Sequence, residues 1–155
     1  MEALLLLGGN IGDVSATTLR AEEMIGQNVG TVLSRSRDHW TEPWGFHDDR
    51  LFLNRALLVR TDLSPHDLLE NCLEIERQLG RTRTSGQGYA ARTIDIDLLL
   101  CGDQVISSSD LLVPHPRMHE RAFALAPAAD VAPAWSHPIL QRPLLTLLND
   151  VLRTA

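Results

Sequence analysis

The amino-acid sequence predicts a single α+β domain whose elements follow in the order strand, helix, strand, strand, helix, strand. Short aliphatic segments alternate with segments of helical periodicity, and glycine, proline or a capping residue bounds most of them. Two further helical segments follow the last strand. A chain of 155 residues suffices for one domain with its own core, so residues 1–155 are expected to form one domain.

The first half of the chain contains three predicted strands and one helix. The strands are expected at residues 3–7, 31–40 and 51–61. A helix is expected to begin at Asp13 or Ser15, which are good capping residues, and to end near Gly30. Its predicted buried face consists of Leu19, Met24 and Ile25. Residues 41–50 lie between two strands and are predicted to form a long loop.

The second half begins with a helix predicted from Ser64 to Gly80, because Pro65 suits the first helical position. Residues 82–91 are predicted to form a second long loop. Long loops in compact domains usually cover a site or bind a ligand. A strand at 93–100, a short partner strand at 104–106, and helices at 116–126 and from Pro143 onward complete the chain. This order favours a ferredoxin-like βαββαβ split sheet with C-terminal helical additions.

Charge and composition exclude several classes of function. The net charge of −6 argues against a large nucleic-acid interface, so no nucleic-acid partner is expected. All 14 basic residues are arginine. The absence of lysine excludes a Walker A phosphate loop and Schiff-base chemistry on a side-chain amine. An anionic substrate must therefore be bound by arginine, histidine, backbone amides or metal.

The sequence predicts a cytoplasmic protein without a membrane partner. No aliphatic run is long enough to cross a bilayer. The acidic start Met1–Glu2 does not resemble the basic region of a signal peptide. Cys72 and Cys101 are too few for a disulfide framework or a metal knuckle, which fits a reducing compartment.

Asp95 and Asp97 are the main candidates for chemistry. Residues two apart on a strand point to the same face, so both carboxylates are expected on the face opposite Ile94, Ile96 and Leu98. Two close carboxylates repel each other unless a cation lies between them, and their oxygens suit Mg²⁺. A solvated strand face with two acidic residues remains the alternative.

Arginines surround this pair in the sequence. Arg81, Arg83 and Arg92 lie at both ends of the 82–91 loop. Guanidinium groups beside a two-carboxylate metal site can position a phosphate chain and neutralise its charge during phosphoryl transfer. The alternative is that these arginines are only solvated loop residues.

His115, His119 and Arg121 form a second cluster. A zinc site on His115 and His119 is disfavoured, because Pro116 places His115 at or before the start of the predicted helix. Contact with a phosphate by His115 and Arg121 near a helix N-terminus is the preferred interpretation. On the predicted strand 51–61, Phe52 and Asn54 share a face and could bind a flat heteroaromatic ring.

Six motifs in order resemble one enzyme family. They are Leu7 to Asp13, Thr41 to Gly45, Phe52-Leu53-Asn54, Ile75-Glu76 with Gly80-Arg81, Arg92 to Asp97, and Val113-Pro114-His115 with Arg121-Ala122-Phe123. Together they are similar to 6-hydroxymethyl-7,8-dihydropterin pyrophosphokinase of folate biosynthesis. The resemblance extends from residue 4 to about residue 135, and the Arg-Thr-Ile-Asp-Ile-Asp segment is its most specific part.

The resemblance implies transfer of a pyrophosphoryl group from ATP to the hydroxymethyl oxygen of the pterin, with release of AMP. The protein is expected to be a monomer. By resemblance, Asp95 and Asp97 bind two Mg²⁺ ions, and Arg81 and Arg92 act on the triphosphate. The implied ATP contacts are Glu76, Arg83, Tyr89, Arg92, His115 and Arg121. The implied pterin pocket consists of Thr41, Pro43, Trp44 and Asn54, with Phe52 and Phe123 on either side of the ring.

Two other classes of function remain open at this stage. A ligand-binding or regulatory module that has lost activity would be expected to lack the acidic pair or its arginines, and this sequence has both. A different divalent-metal enzyme, such as a phosphohydrolase, would need a water-activating base near Asp95 and would not explain the pterin-pocket residues.

Overall fold

The computed structural model describes residues 1–42, 50–80 and 93–154. Its strands are β1 (Glu2–Gly9), β2 (Thr31–Arg35), β3 (His39–Thr41), β4 (Phe52–Arg60), β5 (Asp95–Cys101), β6 (Ile106–Ser107) and β7 (Leu112–Val113). Its α-helices are α1 (Val14–Asn28), α2 (Pro65–Gln78), α3 (Ala122–Val131) and α4 (Leu144–Thr154), with a short 3₁₀ turn at Met118–Glu120. The prediction of a mixed fold of helices and one main sheet is confirmed.

The main sheet is antiparallel in every described pair of strands. Its order is β2-β4-β1-β5, and β3 continues along the same edge of β4 as β2. Strand β1 is therefore central, between β4 and β5, while β5 lies at the end of the described order. The strands β6 and β7 form a separate two-stranded sheet.

Each face of the main sheet packs against a different pair of helices. On the first face, side chains of α1 and α2, such as Ile25 and Leu68, form a buried cluster with Leu5, Leu7 and Ile96. On the second face, the buried cluster joins side chains of three strands to side chains of α3 and α4. Its members include Leu4, Leu6, Ala56, Leu99, Leu125, Ala128, Leu144 and Leu147.

The side chains of β5 follow the predicted alternation. Ile94, Ile96 and Leu98 are buried in the first cluster, and the two aspartates that alternate with them are only half-buried. A register shift against β1 between Leu4 and Leu5 then brings Leu99 and Leu100 to the second cluster. The predicted separation of aliphatic and acidic side chains on this strand is confirmed.

Both predicted helix starts are present, but the predicted face of α1 is partly wrong. Asp13 caps α1 by accepting a hydrogen bond from the N–H of Ala16, and Ser64 caps α2 by accepting one from Asp67. Met24 and Ile25 are buried, whereas Leu19 is 46% exposed. Thr18, the residue before Leu19, lies on the buried side of α1 instead, and consecutive helical residues do not share a face.

The predicted strand 31–40 is divided into β2 and β3. Between Arg35 and His39 the chain takes four steps while the paired segment of β4, from Leu57 to Asn54, takes three. One extra residue of this kind interrupts the ladder and bends the strand. Ser36 bridges the interruption, because its hydroxyl accepts a hydrogen bond from the N–H of Ala56 at 2.9 Å.

Two further predictions in the C-terminal half are wrong. Residues 104–106 were expected to pair with the preceding strand, but Ile106 pairs with Val113 of β7. This pairing brings the side chain of Val113 into the first cluster and that of Ile106 against it. The predicted helix 116–126 is interrupted at Arg121, whose extended backbone separates the 3₁₀ turn from α3.

None of the helices in residues 1–42, 50–80 and 93–154 combines the length and the apolar character that crossing a membrane requires.

Candidate active site

The second face of the sheet becomes polar beyond the edge of α3 and α4. Gly8 lies at this boundary, since it follows Leu4 and Leu6 on the same side of β1. It pairs with Asn54 of β4 on one side and with Asp95 of β5 on the other. Directly paired residues of neighbouring strands project to the same face. These three residues therefore form one row across the sheet.

Asp97 belongs to the adjacent row, closer to the apolar cluster. Its partner in β1 is Leu6, which also pairs with Ala56 of β4. The two carboxylates of β5 are both half-buried and lie on the same face. Two carboxylates on a partly buried face suit a hard divalent cation, which takes one or two carboxylates together with phosphate oxygens. The donor set fits Mg²⁺.

Glu76 holds the backbone of β5 between these two aspartates. It lies on α2 with only 3% of its surface exposed. Its Oε2 atom accepts a hydrogen bond of 2.6 Å from the backbone N–H of Ile96. A buried carboxylate requires such donors, because an unpaired buried charge is strongly unfavourable. Sequence reasoning missed this backbone contact, since no local pattern connects α2 to β5.

His115 lies beside the outer edge of β5. Its backbone N–H donates a hydrogen bond of 2.9 Å to the carbonyl oxygen of Leu99. Burial lowers the pKa of the imidazole, and Arg121 and Arg117 lower it further, while Asp95 partly opposes this effect. The structure therefore brings His115, Arg121 and Asp95 within electrostatic range of one another.

The tautomer of His115 follows from its hydrogen bond. The Nδ1 atom accepts a hydrogen bond of 3.4 Å from the backbone N–H of Arg117. A neutral imidazole has one donor and one acceptor nitrogen, so Nε2 carries the proton. With its lowered pKa, the ring is a neutral donor that can bind an anionic oxygen through Nε2–H.

Asn54, Thr41 and Phe52 line the polar face on the other side of Gly8. The amide Nδ2 of Asn54 donates a hydrogen bond of 3.0 Å to the hydroxyl of Thr41, which is paired with Phe52. Gly8 makes room for this group: a Cβ atom there would lie 3.2 Å from Asn54 Oδ1 and 3.9 Å from Phe52 Cδ1. Sequence reasoning did not assign Gly8 to the site.

Phe123 lies at the start of α3, which packs against β4. Its ring is partly buried against the second apolar cluster. The guanidinium of Arg121 lies over this ring, 5.5 Å from its centre, within the range of a cation–π contact. Phe52 and Phe123 therefore come from the two elements that border the polar part of the face.

Six predicted site residues lie outside the described residues. They are Pro43, Trp44, Arg81, Arg83, Tyr89 and Arg92. Of the other predicted residues, Asp95 and Asp97 lie on β5, and His115 and Arg121 lie at its outer edge. Thr41, Phe52, Asn54 and Phe123 border the polar part of the second face. The carboxylate of Glu76 reaches β5 from α2.

Within the described ranges, no group of three or more His, Cys, Asp or Glu side chains is arranged to hold a metal ion.

His119 contacts the ring of His137 edge-on, with 6.0 Å between ring centres. The Nδ1 atom of His137 accepts hydrogen bonds from the N–H groups of Ile139 and Leu140. His137 therefore holds the backbone of the C-terminal segment that follows it, and His119 packs against its ring.

Comparison with known proteins gives a family match over most of the chain. The family model described as 7,8-dihydro-6-hydroxymethylpterin-pyrophosphokinase matches residues 4–133. A protein of Porphyromonas gingivalis is 44% identical over 143 residues, which are 91% of this chain and 97% of the relative. A protein of Methylorubrum extorquens is 46% identical over 84% of this chain and 82% of the relative. Both are named 2-amino-4-hydroxy-6-hydroxymethyldihydropteridine pyrophosphokinase.

The fold is also similar to solved structures. One is an HPPK-DHPS protein in complex with substrates, with a TM-score of 0.78 and 15% sequence identity. Another is an HPPK-DHPS variant of Plasmodium falciparum with pterin and p-hydroxybenzoate, with a TM-score of 0.80 and 15% identity. The chain spans 44% of the length of the first and 43% of the second. At this identity the likeness concerns the fold alone.

Proposed function

The chain belongs to the 7,8-dihydro-6-hydroxymethylpterin-pyrophosphokinase family, and from this we propose that it acts as a pyrophosphokinase in folate biosynthesis. In the proposed reaction, ATP donates its β- and γ-phosphoryl groups to the hydroxymethyl oxygen of 6-hydroxymethyl-7,8-dihydropterin, and AMP leaves. The observation that carries this proposal is the register of the sheet. Through Gly8, one row joins the acidic strand β5 to the Asn54 end of β4.

The acidic half of this row is proposed to receive the phosphate chain. Asp95 and Asp97 would hold divalent metal, and two Mg²⁺ ions are expected by resemblance to the family. When bound, Mg²⁺ would neutralise phosphate charge and lower the pKa of the attacking hydroxyl. The protein contributes two half-buried carboxylates, together with a β5 backbone fixed by Glu76.

Phosphate contacts are proposed for side chains at the outer edge of β5. The neutral His115 can donate from Nε2–H, and the guanidinium of Arg121 adds positive charge at the start of α3. Arginine is well suited to this task because its planar group forms paired hydrogen bonds with phosphate oxygens. Arg81, Arg83, Tyr89, Arg92 and Glu76 remain proposed contacts of ATP from the family resemblance.

The amide half of the row is proposed to receive the pterin. The amide group of Asn54 can form hydrogen bonds with the edge of a heteroaromatic ring, and its side chain is already oriented by Thr41. Phe52 and Phe123 would stack on the two faces of that ring. Pro43 and Trp44 are proposed to complete the pocket.

The fold is proposed to be ferredoxin-like with C-terminal helical additions. Support comes from the strand order β2-β4-β1-β5, in which β3 pairs with the same edge of β4 as β2. Further support comes from the helices α1 and α2, which both lie on one face. We also propose that residues 1–155 form one domain, that the protein is a monomer of the cytoplasm, and that its partners are the two small-molecule substrates.

Labelled ATP tests the reaction directly. The protein is incubated with Mg²⁺, the dihydropterin and ATP labelled at either the α- or the γ-phosphorus. The γ label is expected in the pterin product and the α label in AMP. Omission of the pterin is the control and should leave both labels in ATP.

Two outcomes would contradict the proposal. Formation of ADP with a monophosphorylated pterin would mean transfer of a single phosphoryl group. Release of the γ label in a pterin-independent way would indicate a phosphohydrolase instead.

A further inference from the structure

The hydrogen bond between Glu76 and Ile96 connects a helix on one face of the sheet to an acidic pair on the other. The helix α2 packs on the first face, where Leu68, Cys72 and Ile75 belong to the buried cluster. Glu76 follows Ile75 and is itself buried, yet its carboxylate ends at the backbone of β5. The acceptor therefore reaches the strand from the side away from the aspartate carboxylates.

The position of this bond within β5 decides its effect. Ile96 is the single residue between Asp95 and Asp97, and its side chain is buried on the first face. In the described sheet order, β5 has β1 on one side and is the last strand. Outward N–H groups of a terminal strand are not held by a neighbouring strand. Glu76 supplies an acceptor for the N–H group that lies between the two aspartates.

A rotation of the peptide group that carries the N–H of Ile96 would change the positions of both carboxylates together. The flanking side chains project from the backbone on either side of Ile96, so a tilt of the strand edge alters their separation and direction. Groups that orient metal ligands in this way typically change metal affinity by about 10- to 100-fold when they are removed. A charged acceptor also forms a stronger hydrogen bond than a neutral one.

We propose that Glu76 is a positioning residue, which sets the geometry of Asp95 and Asp97 by holding the N–H of Ile96. The inference rests on the proposed function, because it gives that acidic pair the task of binding divalent metal. It goes beyond the family-based assignment of Glu76 as a contact of ATP. Its effect is transmitted through the backbone of β5 and is already present in the protein without nucleotide.

Three variants separate the backbone bond from the charge of Glu76. Glu76→Leu removes the acceptor and places an apolar side chain of similar size on the buried side of α2. Glu76→Gln keeps an acceptor oxygen but removes the charge. Glu74→Leu is the matched control, because Glu74 lies on the same helix and pairs with the exposed Arg77.

Two measurements are made on each folded variant. Amide hydrogen exchange at Ile96 in the metal-free protein reports the bond itself. The affinity for Mn²⁺ in the absence of nucleotide, followed by the electron paramagnetic resonance of free Mn²⁺, reports the acidic pair without any contribution from a contact between Glu76 and ATP. Glu76→Leu should lose protection at Ile96 and bind Mn²⁺ about 10- to 100-fold more weakly. Glu76→Gln should retain most of both properties, and Glu74→Leu should retain both fully.

The inference is overturned if Glu76→Leu loses protection at Ile96 but binds Mn²⁺ like the wild type. It is also overturned if Glu76→Gln keeps that protection and yet loses Mn²⁺ affinity, since the charge and not the bond would then matter. Should Glu76→Leu fail to fold, Glu76→Met replaces it in both measurements, because methionine also lacks the carboxylate acceptor and its flexible side chain adapts to a buried position. Because neither measurement needs turnover, a protein that makes no AMP would refute the proposed reaction separately.

Discussion

The two halves of the second sheet face are built from the same strands but have opposite surroundings. In one half, Leu4 and Leu6 of β1 and Leu99 of β5 lie beneath α3 and α4. In the other half, the same side of β1 and β5 carries Gly8 and Asp95, which neither apolar cluster of the described residues includes. A step of two residues along a strand is enough to pass from one half to the other.

Under the proposed function, this difference separates stability from binding on one sheet. Apolar side chains beneath the helices contribute burial free energy, of about 25 cal/mol per Å² removed from water. The polar half gains little from burial, since each polar group there must retain a partner. Substitutions in the apolar half should therefore lower stability, and substitutions in the polar half should lower activity.

The largest effect is expected from removing a charge of the acidic pair. Asp95→Asn or Asp97→Asn should reduce turnover by orders of magnitude, because metal and electrostatic contributions amount to several kcal/mol in such sites. The melting temperature should change far less than turnover, because both side chains are only half-buried and neither apolar cluster of the described residues includes them. AMP production and thermal unfolding measure the two effects.

Asp103→Asn is the matched control for the acidic pair. Asp103 is an exposed residue in the turn after β5, so its variant should resemble the wild type in both measurements. Turnover near the wild-type level for Asp95→Asn or Asp97→Asn at ordinary Mg²⁺ would remove the acidic pair from the proposed site.

The next largest effect belongs to the apolar half of the same strand. Leu99 lies two residues after Asp97 and is 1% exposed. Leu99→Ala should lower the free energy of unfolding by about 2–5 kcal/mol, because it removes buried methyl groups and leaves a cavity. Urea unfolding measures this loss. Turnover per folded molecule should change little, and a loss of turnover as large as that of Asp97→Asn would break the distinction between the halves.

Gly8 lies at the boundary, and adding a methyl group there should act on binding. In Gly8→Ala the new Cβ would lie 3.2 Å from Asn54 Oδ1, so the amide must move. Forcing an extra methyl group into a packed site costs about 1–3 kcal/mol, expected here as weaker pterin affinity. Isothermal titration with the pterin and a non-reactive nucleotide measures it.

Gly26→Ala provides the control for added methyl groups. Gly26 lies in α1 with open space around its Cα, so alanine should raise stability by about 0.5–1 kcal/mol and leave pterin affinity unchanged. Equal pterin affinity in Gly8→Ala and the wild type would mean that Asn54 does not bind the ring.

Local sequence patterns predicted the elements of the fold better than the partners of each element. The alternation in β5 correctly separated Ile96 from the two aspartates, because alternation is a local property of a strand. The row through Gly8 depends on pairing between distant segments, which no local period encodes. The same holds for the bond from Glu76 and for the pairing of β6 with β7.

Part of the candidate site was reached through the family motifs and not through periodicity. Chemical reasoning alone made Asp95 and Asp97 candidates for a metal site, because two acidic side chains on one face repel each other unless a cation lies between them, but it left a solvated strand face as the alternative. Thr41 was assigned to the pterin pocket only by resemblance, and its contact with Asn54 requires β3 to pair with β4. The break of the helix at Arg121 could not be foreseen from helical spacing.

The smallest expected effects distinguish the two rings that border the polar half. Phe52→Leu and Phe123→Leu each remove one stacking surface, which should weaken pterin affinity by about 0.5–1.5 kcal/mol. Titration with the pterin in the presence of a non-reactive nucleotide measures this loss. The two variants serve as controls for each other, because they make the same chemical change on different elements.

Stability should separate these two variants where affinity does not. Phe123 packs against the apolar cluster beneath α3, so Phe123→Leu should also lower the free energy of unfolding, by up to about 1.5 kcal/mol. Among the described residues, neither buried cluster includes Phe52, so Phe52→Leu should lower the free energy of unfolding less than Phe123→Leu. A loss of stability with unchanged pterin affinity in both variants would make both rings core residues. A loss of affinity in both variants, with a larger loss of stability in Phe123→Leu, would place Phe123 at the boundary of the two halves. A ring at that position contributes to folding on its apolar side and to binding on its polar side.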